Sequence, residues 1–192
     1  MGKDRAEMAN YAKEVILNFG CGFNKLIGAT NIDAFENCEP DVLWDLNETP
    51  LPFESDSVDK IIAKHVFEHL KPDCWWDTFC DCARILKMGG TLELRCPHDS
   101  SRSAATYRDH NNVFTRFSFH GTKDTHSGGN AWAEGVDRVP FKLTRYELVP
   151  YQQYTWMIKV PWLLNFCAQH LRGFIWEQGF FWQKYEIGEE NE

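Results

Sequence analysis

The chain has 192 residues and 43% of them are hydrophobic, which predicts one globular domain with a sizeable core. Its formal net charge is −8 and it contains no block of lysines or arginines, which argues against duplex nucleic acid as the primary partner, because duplexes are held mainly through their phosphates. No apolar run reaches the ~18 residues of a membrane span, and seven cysteines without a signal-peptide pattern indicate reduced thiols in a cytoplasmic protein.

Short apolar segments in the first third of the chain predict strands. A helix is expected over 4–13. The segment EVILNF at 14–19 is almost continuously apolar and is ended by glycines, as is typical of a buried strand. Further short strands are predicted at 29–33, 41–46 and 57–65.

A longer helical pattern follows. Residues 73–90 predict a helix that begins at Asp73 as N-cap and is ended by Gly89-Gly90. Its apolar stripe consists of Trp76, Phe79, Ala83 and Leu86. A strand is predicted next at 91–97, and this alternation of apolar strands and helices indicates a mostly parallel α/β sheet.

The chain beyond Pro97 changes in composition. Residues 98–130 are polar and predict loops with a short helix. A strand is expected at 140–150, a helix at 161–176 with Pro161 in its first turn, a last strand at 180–187 and a solvated tail at 188–192. The two late strands around a helix predict an antiparallel edge on the parallel sheet.

The turn Gly20-Cys21-Gly22 after the first strand suggests a nucleotide-binding loop. A dinucleotide site requires a glycine or alanine as the sixth residue of G-x-G-x-x-G, but that position is Lys25, so a nicotinamide cofactor is disfavoured. A nucleoside without this pyrophosphate fits better, because the two glycines permit close backbone approach and Asp33 can bind ribose hydroxyls. Ile32, Leu46 and Asp45 would surround an adenine, and S-adenosylmethionine satisfies all these demands.

Four segments in register now carry a family resemblance: LNFGCGFNKLIGATNIDAFE, DVLWDLNETPLPFESDSVDKIIAKHVFEHL, RILKMGGTLELRCPH and FTRFSF. Together, over roughly 14–119, they resemble the small class I S-adenosylmethionine-dependent methyltransferases, and within them a compact branch whose first crossover helix is reduced to a loop. The resemblance implies a Rossmann-like, seven-stranded, mostly parallel sheet with an antiparallel edge strand. It implies a single domain over 1–192, with 98–139 as a polar insertion on the acceptor side.

The resemblance also assigns roles to individual residues. Phe19, Gly20, Cys21 and Gly22 match the cofactor loop, Asp33 the ribose acid, and Asp45 with Leu46 the adenine-edge pair. His65 matches the position that lines the methyl-transfer site.

A neutral acceptor needs a base to take its proton, and histidine suits neutral pH. The candidates that follow the fourth and fifth strands are His65, His98 and Asp99, and His110 and His126 are outer candidates.

The segment HVFEH at 65–69 raises a metal-dependent alternative, because it spells the H-x-x-E-H pattern of one class of zinc proteases. That chemistry needs both histidines on one helical face. His65 instead ends an apolar β-rich run, and Lys71-Pro72 limits any helix behind it. No metal site is therefore predicted, and Glu68 and His69 are interpreted as a short helix cap against the end of the sheet.

The predicted function is transfer of a methyl group from S-adenosylmethionine to an unidentified polar acceptor of small or modest size. The alternative is a catalytically silent S-adenosylmethionine-binding partner or regulatory subunit. The sequence does not identify the acceptor atom or the oligomeric state.

Overall fold

The computed structural model describes residues 14–115, 117–119 and 139–186. The predicted helix at 4–13, the tail at 188–192, the outer candidate His126 and much of the predicted insertion lie outside the described residues. Among the described residues, no helix is both long and apolar enough to cross a bilayer.

Seven strands of the described chain form one sheet in the order β3-β2-β1-β4-β5-β7-β6. The strands are β1 (Ile16–Phe19), β2 (Thr30–Asp33), β3 (Val42–Leu43), β4 (Val58–Lys64), β5 (Leu86–Pro97), β6 (Phe141–Pro150) and β7 (Ile175–Lys184). Strands β1 to β5 pair in parallel, whereas β7 pairs antiparallel with both β5 and β6. The predicted fold class is confirmed.

The chain order of the sheet determines where a ligand can bind. From the central strand β1 the chain moves to β2 and β3 on one side and then returns to β4 on the other side. Such a reversal opens a crevice at the carboxyl ends of the parallel strands. The connection from β1 to β2 is built of turns, so the short first crossover expected from the sequence is also confirmed.

Three helices flank the sheet in the described chain: α1 (Trp75–Ile85), α2 (Arg102–Thr106) and α3 (Pro161–His170). Short 3₁₀ segments add turns at Glu36–Cys38, Phe67–His69 and Gln152–Lys159. Helix α1 carries the fully buried Phe79, whose ring centroid lies 5.0 Å from that of Phe119, 5.1 Å from Phe141 and 5.2 Å from Trp182. This aromatic cluster joins α1 to β6 and β7 and forms the centre of the core on that face.

The predicted helix over 73–90 is wrong at both ends. In the structure, α1 has Cys74 rather than Asp73 as its N-cap residue. The helix stops at Ile85, because Leu86 already belongs to β5 and pairs with Val58. The Leu86 carbonyl also accepts a 2.7 Å hydrogen bond from the buried Lys184 ammonium. Gly89-Gly90 therefore lies inside the strand, next to a register shift, instead of ending a helix.

Other predicted boundaries shift for similar reasons. The predicted helix at 161–176 ends at His170, because Gly173 has a φ of 80° and Ile175 begins β7 by pairing with Pro150. The last strand accordingly starts earlier than position 180. The predicted strand at 41–46 shortens to two residues.

Replacing Phe79 by alanine tests the aromatic cluster. We expect Phe79→Ala to lower the free energy of unfolding by ~3–5 kcal/mol, because the substitution leaves a cavity among rings that have no room to collapse. Urea unfolding monitored by circular dichroism measures the change. Phe23→Ala is the matched control, since Phe23 is 82% exposed, and it should stay within ~0.5 kcal/mol of the unmodified protein. Equal losses in the two variants would contradict this account of the core.

Candidate functional site

A cavity of about 560 Å³ opens at the carboxyl ends of β1, β2 and β4, where the topology predicts a ligand site. Its volume falls in the range of ~300–1,000 Å³ that small-molecule sites occupy. Its walls come from five chain segments. The lining residues are Gly20, Gly22, Asp33, Ala34, Phe35, Cys38, Trp44, Asp45, Leu46, Asn47, His65, Val66, His69, Leu70, Asp109 and Asn111.

The two glycines at the end of β1 are required for different reasons. Both have positive φ, 60° at Gly20 and 47° at Gly22, which other residues rarely adopt. A Cβ at Gly20 would also lie 2.6 Å from Cγ2 of Val66, whereas a Cβ at Gly22 would meet no atom within 4 Å. Gly20 therefore lets the β1 turn pass close to Val66, and Gly22 turns the backbone beside open space in the cavity.

Asp33 ends β2 and holds the glycine turn in place. Its Oδ2 accepts a 2.7 Å hydrogen bond from the Gly22 amide, and its Oδ1 accepts one of 3.0 Å from the Phe35 amide. The residue is only 7% exposed, yet it lines the cavity. A carboxylate has about four acceptor positions, so two remain for hydroxyl groups of a ligand.

The next wall is formed by Trp44–Asn47, after β3. Trp44 and the buried Leu46 offer apolar surface, and Asp45 lies between them. Oδ1 of Asp45 accepts hydrogen bonds from the amide and the side-chain nitrogen of Asn47, at 2.9 Å and 2.8 Å. This wall combines apolar area with a fixed carboxylate, as recognition of a heteroaromatic ring with a polar edge requires.

His65 follows β4 and is held by two carboxylates. Its Nε2 lies 2.8 Å from Oε2 of Glu177, and its Nδ1 lies 3.1 Å from Oε1 of Glu68. These hydrogen bonds, that to Glu177 first, raise the pKa of His65 to about 9, so the imidazolium form predominates at neutral pH and donates both bonds. The backbone is strained here, with a φ of 53°, and such strain is common at functional sites.

Glu177 extends this network to a second cation. Its Oε1 accepts a 3.0 Å hydrogen bond from Arg95, which also binds Glu93 and Glu147. Burial by itself would raise the pKa of Glu177, but the hydrogen bonds from His65 and Arg95 hold it below its ordinary value. Glu177 is therefore ionised at neutral pH and ties β7 to the end of β4.

The remaining wall comes from the loop around His110, inside the predicted acceptor-side insertion at 98–139. The amides of Asn111 and Asn112 donate to the Glu68 carbonyl at 2.7 Å and 3.0 Å, and Nδ2 of Asn111 donates to the His69 carbonyl at 2.8 Å. These bonds attach the loop after α2 to the 3₁₀ segment Phe67–His69. Asp109 and Asn111 thereby reach the cavity.

His98 and Asp99 line a different cavity of about 470 Å³, between the end of β5 and α3. Nδ1 of the buried His98 accepts a 3.1 Å hydrogen bond from the Ser100 amide and lies 2.8 Å from the Ser100 hydroxyl. It also lies 3.0 Å from Oδ1 of Asp99. Burial lowers the pKa of His98 despite the Asp99 charge, so the ring is neutral at neutral pH. The structure thus separates His65 from the other two catalytic candidates.

Most of the predicted binding residues meet in the first cavity. Gly20, Gly22, Asp33, Asp45, Leu46 and His65 all line it. Phe19, Cys21 and Ile32 are buried behind the glycine turn and do not line the cavity. Sequence reasoning missed Phe35, Trp44 and Asn47, although each lies within two residues of a predicted site residue. It also missed Asp109 and Asn111, which flank the outer candidate His110.

Comparison with known proteins gives a family match over part of the chain and a shared fold over nearly all of it. The model of a methyltransferase domain family matches residues 29–94. Among curated proteins, none matches the sequence.

Three solved structures superpose on nearly the whole chain. A SAM-dependent methyltransferase from Archaeoglobus fulgidus aligns with a TM-score of 0.62 at 11% identity, covering 90% of this chain and 87% of its own. The complex of the Haloferax volcanii Trm112 methyltransferase activator with a proposed methyltransferase aligns with a TM-score of 0.55 at 13% identity, covering 91% of this chain and 84% of its own. The YcgJ protein of Bacillus subtilis aligns with a TM-score of 0.54 at 12% identity, covering 92% of this chain and 94% of its own. Identities this low show a shared fold.

The close approach at Gly20 can be tested by comparing two glycines. Gly20→Ala should lower the free energy of unfolding by ~1–2 kcal/mol, because alanine disfavours the left-handed backbone conformation. Overpacking of its Cβ against Val66 should add ~1–3 kcal/mol to that loss. Gly28→Ala is the matched control, because Gly28 has a φ of 87° but a Cβ there would meet nothing within 4 Å. Urea unfolding without ligand measures both. Equal destabilisation would show that Val66 does not limit the turn.

Proposed function

We propose that this chain is a class I S-adenosylmethionine-dependent methyltransferase that binds its cofactor in the 560 Å³ cavity and transfers the methyl group to a polar acceptor of small or modest size. One observation carries the proposal: the glycine turn, the Asp33 carboxylate and the Trp44–Asn47 wall face a single cavity at the switch point of the sheet.

Each part of the cofactor has a partner on these walls. The methionine part would lie beside Gly20 and Gly22, where the absence of side chains leaves room for it. Asp33 keeps two acceptor positions for the ribose hydroxyls, since its other two bind backbone amides. Asp45 and Leu46, supported by Trp44, would bind the adenine edge and face.

Methyl transfer is an in-line displacement at carbon: the acceptor lone pair forms the new bond as the sulfur–carbon bond breaks, with its electrons left on sulfur. The protein's contribution is to align the acceptor with that bond and to exclude water. His65 lines the cavity, but both of its ring nitrogens already contact carboxylates. We therefore assign His65 to positioning the cavity wall rather than to proton removal. A base role for His98 and Asp99 stays a prediction that requires an acceptor reaching the second cavity.

The second candidate function is a catalytically silent S-adenosylmethionine-binding partner or regulatory subunit. It is favoured by the same observation on His65, because that histidine has no ring nitrogen available for a substrate proton. Both candidates require cofactor binding, and only the enzyme requires turnover.

The ribose assignment is tested by the variants Asp33→Ala and Asp33→Asn. We expect Asp33→Ala to weaken S-adenosylmethionine binding by ~1–3 kcal/mol, because buried hydroxyls lose their acceptor. Asp33→Asn, which keeps the size of the side chain, should show a smaller loss. Isothermal titration calorimetry measures both, with the exposed Asp73→Ala as control and urea unfolding to separate loss of binding from loss of fold. Unchanged affinity in Asp33→Ala would reject the ribose assignment.

Turnover separates the two candidate functions. We expect the protein to release S-adenosylhomocysteine when it is given methyl-labelled S-adenosylmethionine and pools of small polar acceptors, and the label should appear in one acceptor. Liquid chromatography of the labelled product identifies that acceptor. Cofactor binding in calorimetry together with no product across broad pools would favour the silent module.

A further inference from the structure

Three potential metal ligands lie together where the cavity wall meets the loop after α2. They are Glu68 and His69 on the 3₁₀ segment Phe67–His69, and His110 on the loop. One ligand atom of each lies within 4.8 Å of the ligand atoms of the other two. His69 also lines the 560 Å³ cavity.

Two of the three side chains have a buried polar atom without a hydrogen-bond partner in the part of the chain that the structure describes. These atoms are Oε2 of Glu68 and Nδ1 of His110. The side chain of Glu68 is only 2% exposed, so water has little access to it. Because most buried polar atoms in proteins are paired, two unpaired atoms in one cluster point to a group that lies between them.

The ring of His69 is oriented so that a nitrogen remains for a ligand bond. Its Nδ1 lies 3.0 Å from the Asp109 carbonyl oxygen, which can only accept, so Nδ1 carries the proton. Nε2 is then the ring nitrogen that remains for a ligand bond. Metal-binding histidines usually donate their other N–H to a backbone carbonyl or a carboxylate in this way.

The same kind of support fixes Glu68. Its Oε1 accepts the 3.1 Å hydrogen bond from His65, which is in turn held by Glu177, and this leaves Oε2 for another partner. The backbone carbonyl of Glu68 accepts from the amides of Asn111 and Asn112, directly after His110. The ligands on the two segments are therefore held near each other before any ion is bound.

We propose that Glu68, His69 and His110 form a binding site for a divalent first-row transition-metal ion. Two imidazoles and one carboxylate suit Zn²⁺, Fe²⁺ or Co²⁺ better than Mg²⁺, which prefers oxygen ligands. A triangle with 4.8 Å edges places its centre about 2.8 Å from each corner, against about 2.0–2.2 Å in zinc sites. The cluster therefore needs to contract by less than ~1 Å to bind the ion.

This set differs from the zinc-protease interpretation of HVFEH, since both ring nitrogens of His65 contact carboxylates, those of Glu68 and Glu177, and His65 is not one of the three ligands. It also departs from the sequence prediction of no metal site. His110, which lies more than forty positions beyond the motif in the printed sequence, takes the place of His65.

A three-ligand site leaves coordination positions open, and His69 borders the cavity into which they can open. Resting on the proposed function, the ion would bind an oxygen of the acceptor. A hydroxyl bound there would lose its proton to water more readily, and its oxygen lone pair would form the bond to the methyl carbon as the sulfur–carbon bond breaks. The site would thereby favour hydroxyl acceptors and supply the proton loss that His65 is not placed to assist.

The test is titration of Co²⁺ into the full-length protein after chelator treatment. We expect one equivalent to bind and to give weak visible absorption bands without an intense thiolate-to-cobalt band. Glu68→Gln and His110→Gln should each reduce affinity ~10–100-fold. His170→Gln is the matched control, because His170 is exposed on α3 and lies outside the cluster, and its affinity should be unchanged.

Three results would overturn the site: no Co²⁺ binding, a strong thiolate band that assigns the ion to cysteines, or unchanged affinity in both variants of the cluster. Circular dichroism of each variant verifies that it is folded, and His110→Gln, on a surface loop, keeps the test valid if Glu68→Gln unfolds. S-adenosylmethionine titrations of the same samples keep the two proposals apart. Cofactor binding without cobalt binding would reject only the metal site. Cobalt binding without cofactor binding would reject only the proposed function.

Discussion

The hydrogen bond from the Gly22 amide to the Asp33 carboxylate is the interaction on which the 560 Å³ cavity depends. Strands β1 and β2 are joined here by turns in place of the usual crossover helix, so within the described residues no crossover helix holds the glycine turn from outside. The 2.7 Å bond performs that task from inside, by fixing the turn to the end of the next strand. Because the same carboxylate faces the cavity, the residue that maintains the turn is also placed to bind a ligand. Asp33 can therefore hold the turn that a crossover helix would otherwise support and still face the cavity.

A second constraint acts at His65. Its φ of 53° costs backbone energy, which the surrounding structure must offset. The contacts to Glu68 and Glu177 do so by joining the end of β4 to the following 3₁₀ segment and to β7. The imidazolium carries a positive charge against two carboxylates, so each charge is paired where water has limited access. The His65 ring therefore fixes one wall of the cavity and also holds the carboxylate of Glu68, a candidate metal ligand. Its orientation affects both the cavity and the proposed metal site.

The sequence predicts the strands of this fold better than their boundaries and predicts one half of the site better than the other. β1, β2 and β4 are short apolar runs ended by glycine or polar residues, and their carboxyl ends bring Gly20, Asp33 and His65 together. The helix boundary at Ile85 was missed because pairing of Leu86 with Val58 overrides a local helical pattern. Asp109 and Asn111, on either side of the outer candidate His110, were missed as a wall because backbone hydrogen bonds to Glu68 place this loop, and such bonds leave no side-chain pattern. The pairing of His65 with Glu177 spans 112 positions and has no local signature.

These long-range contacts determine how much of the chain the site requires. The methyltransferase family match covers residues 29–94, which include Asp33, Asp45 and His65. Gly20 and Gly22 lie before that segment, whereas the loop around His110 and the acid Glu177 lie after it. Glu177 reaches His65 only because β7 inserts between β5 and β6, antiparallel to both. A cavity whose walls come from such separate segments exists only when the whole sheet has formed. Binding free energy at this site is therefore linked to the stability of the entire fold, including its last strand.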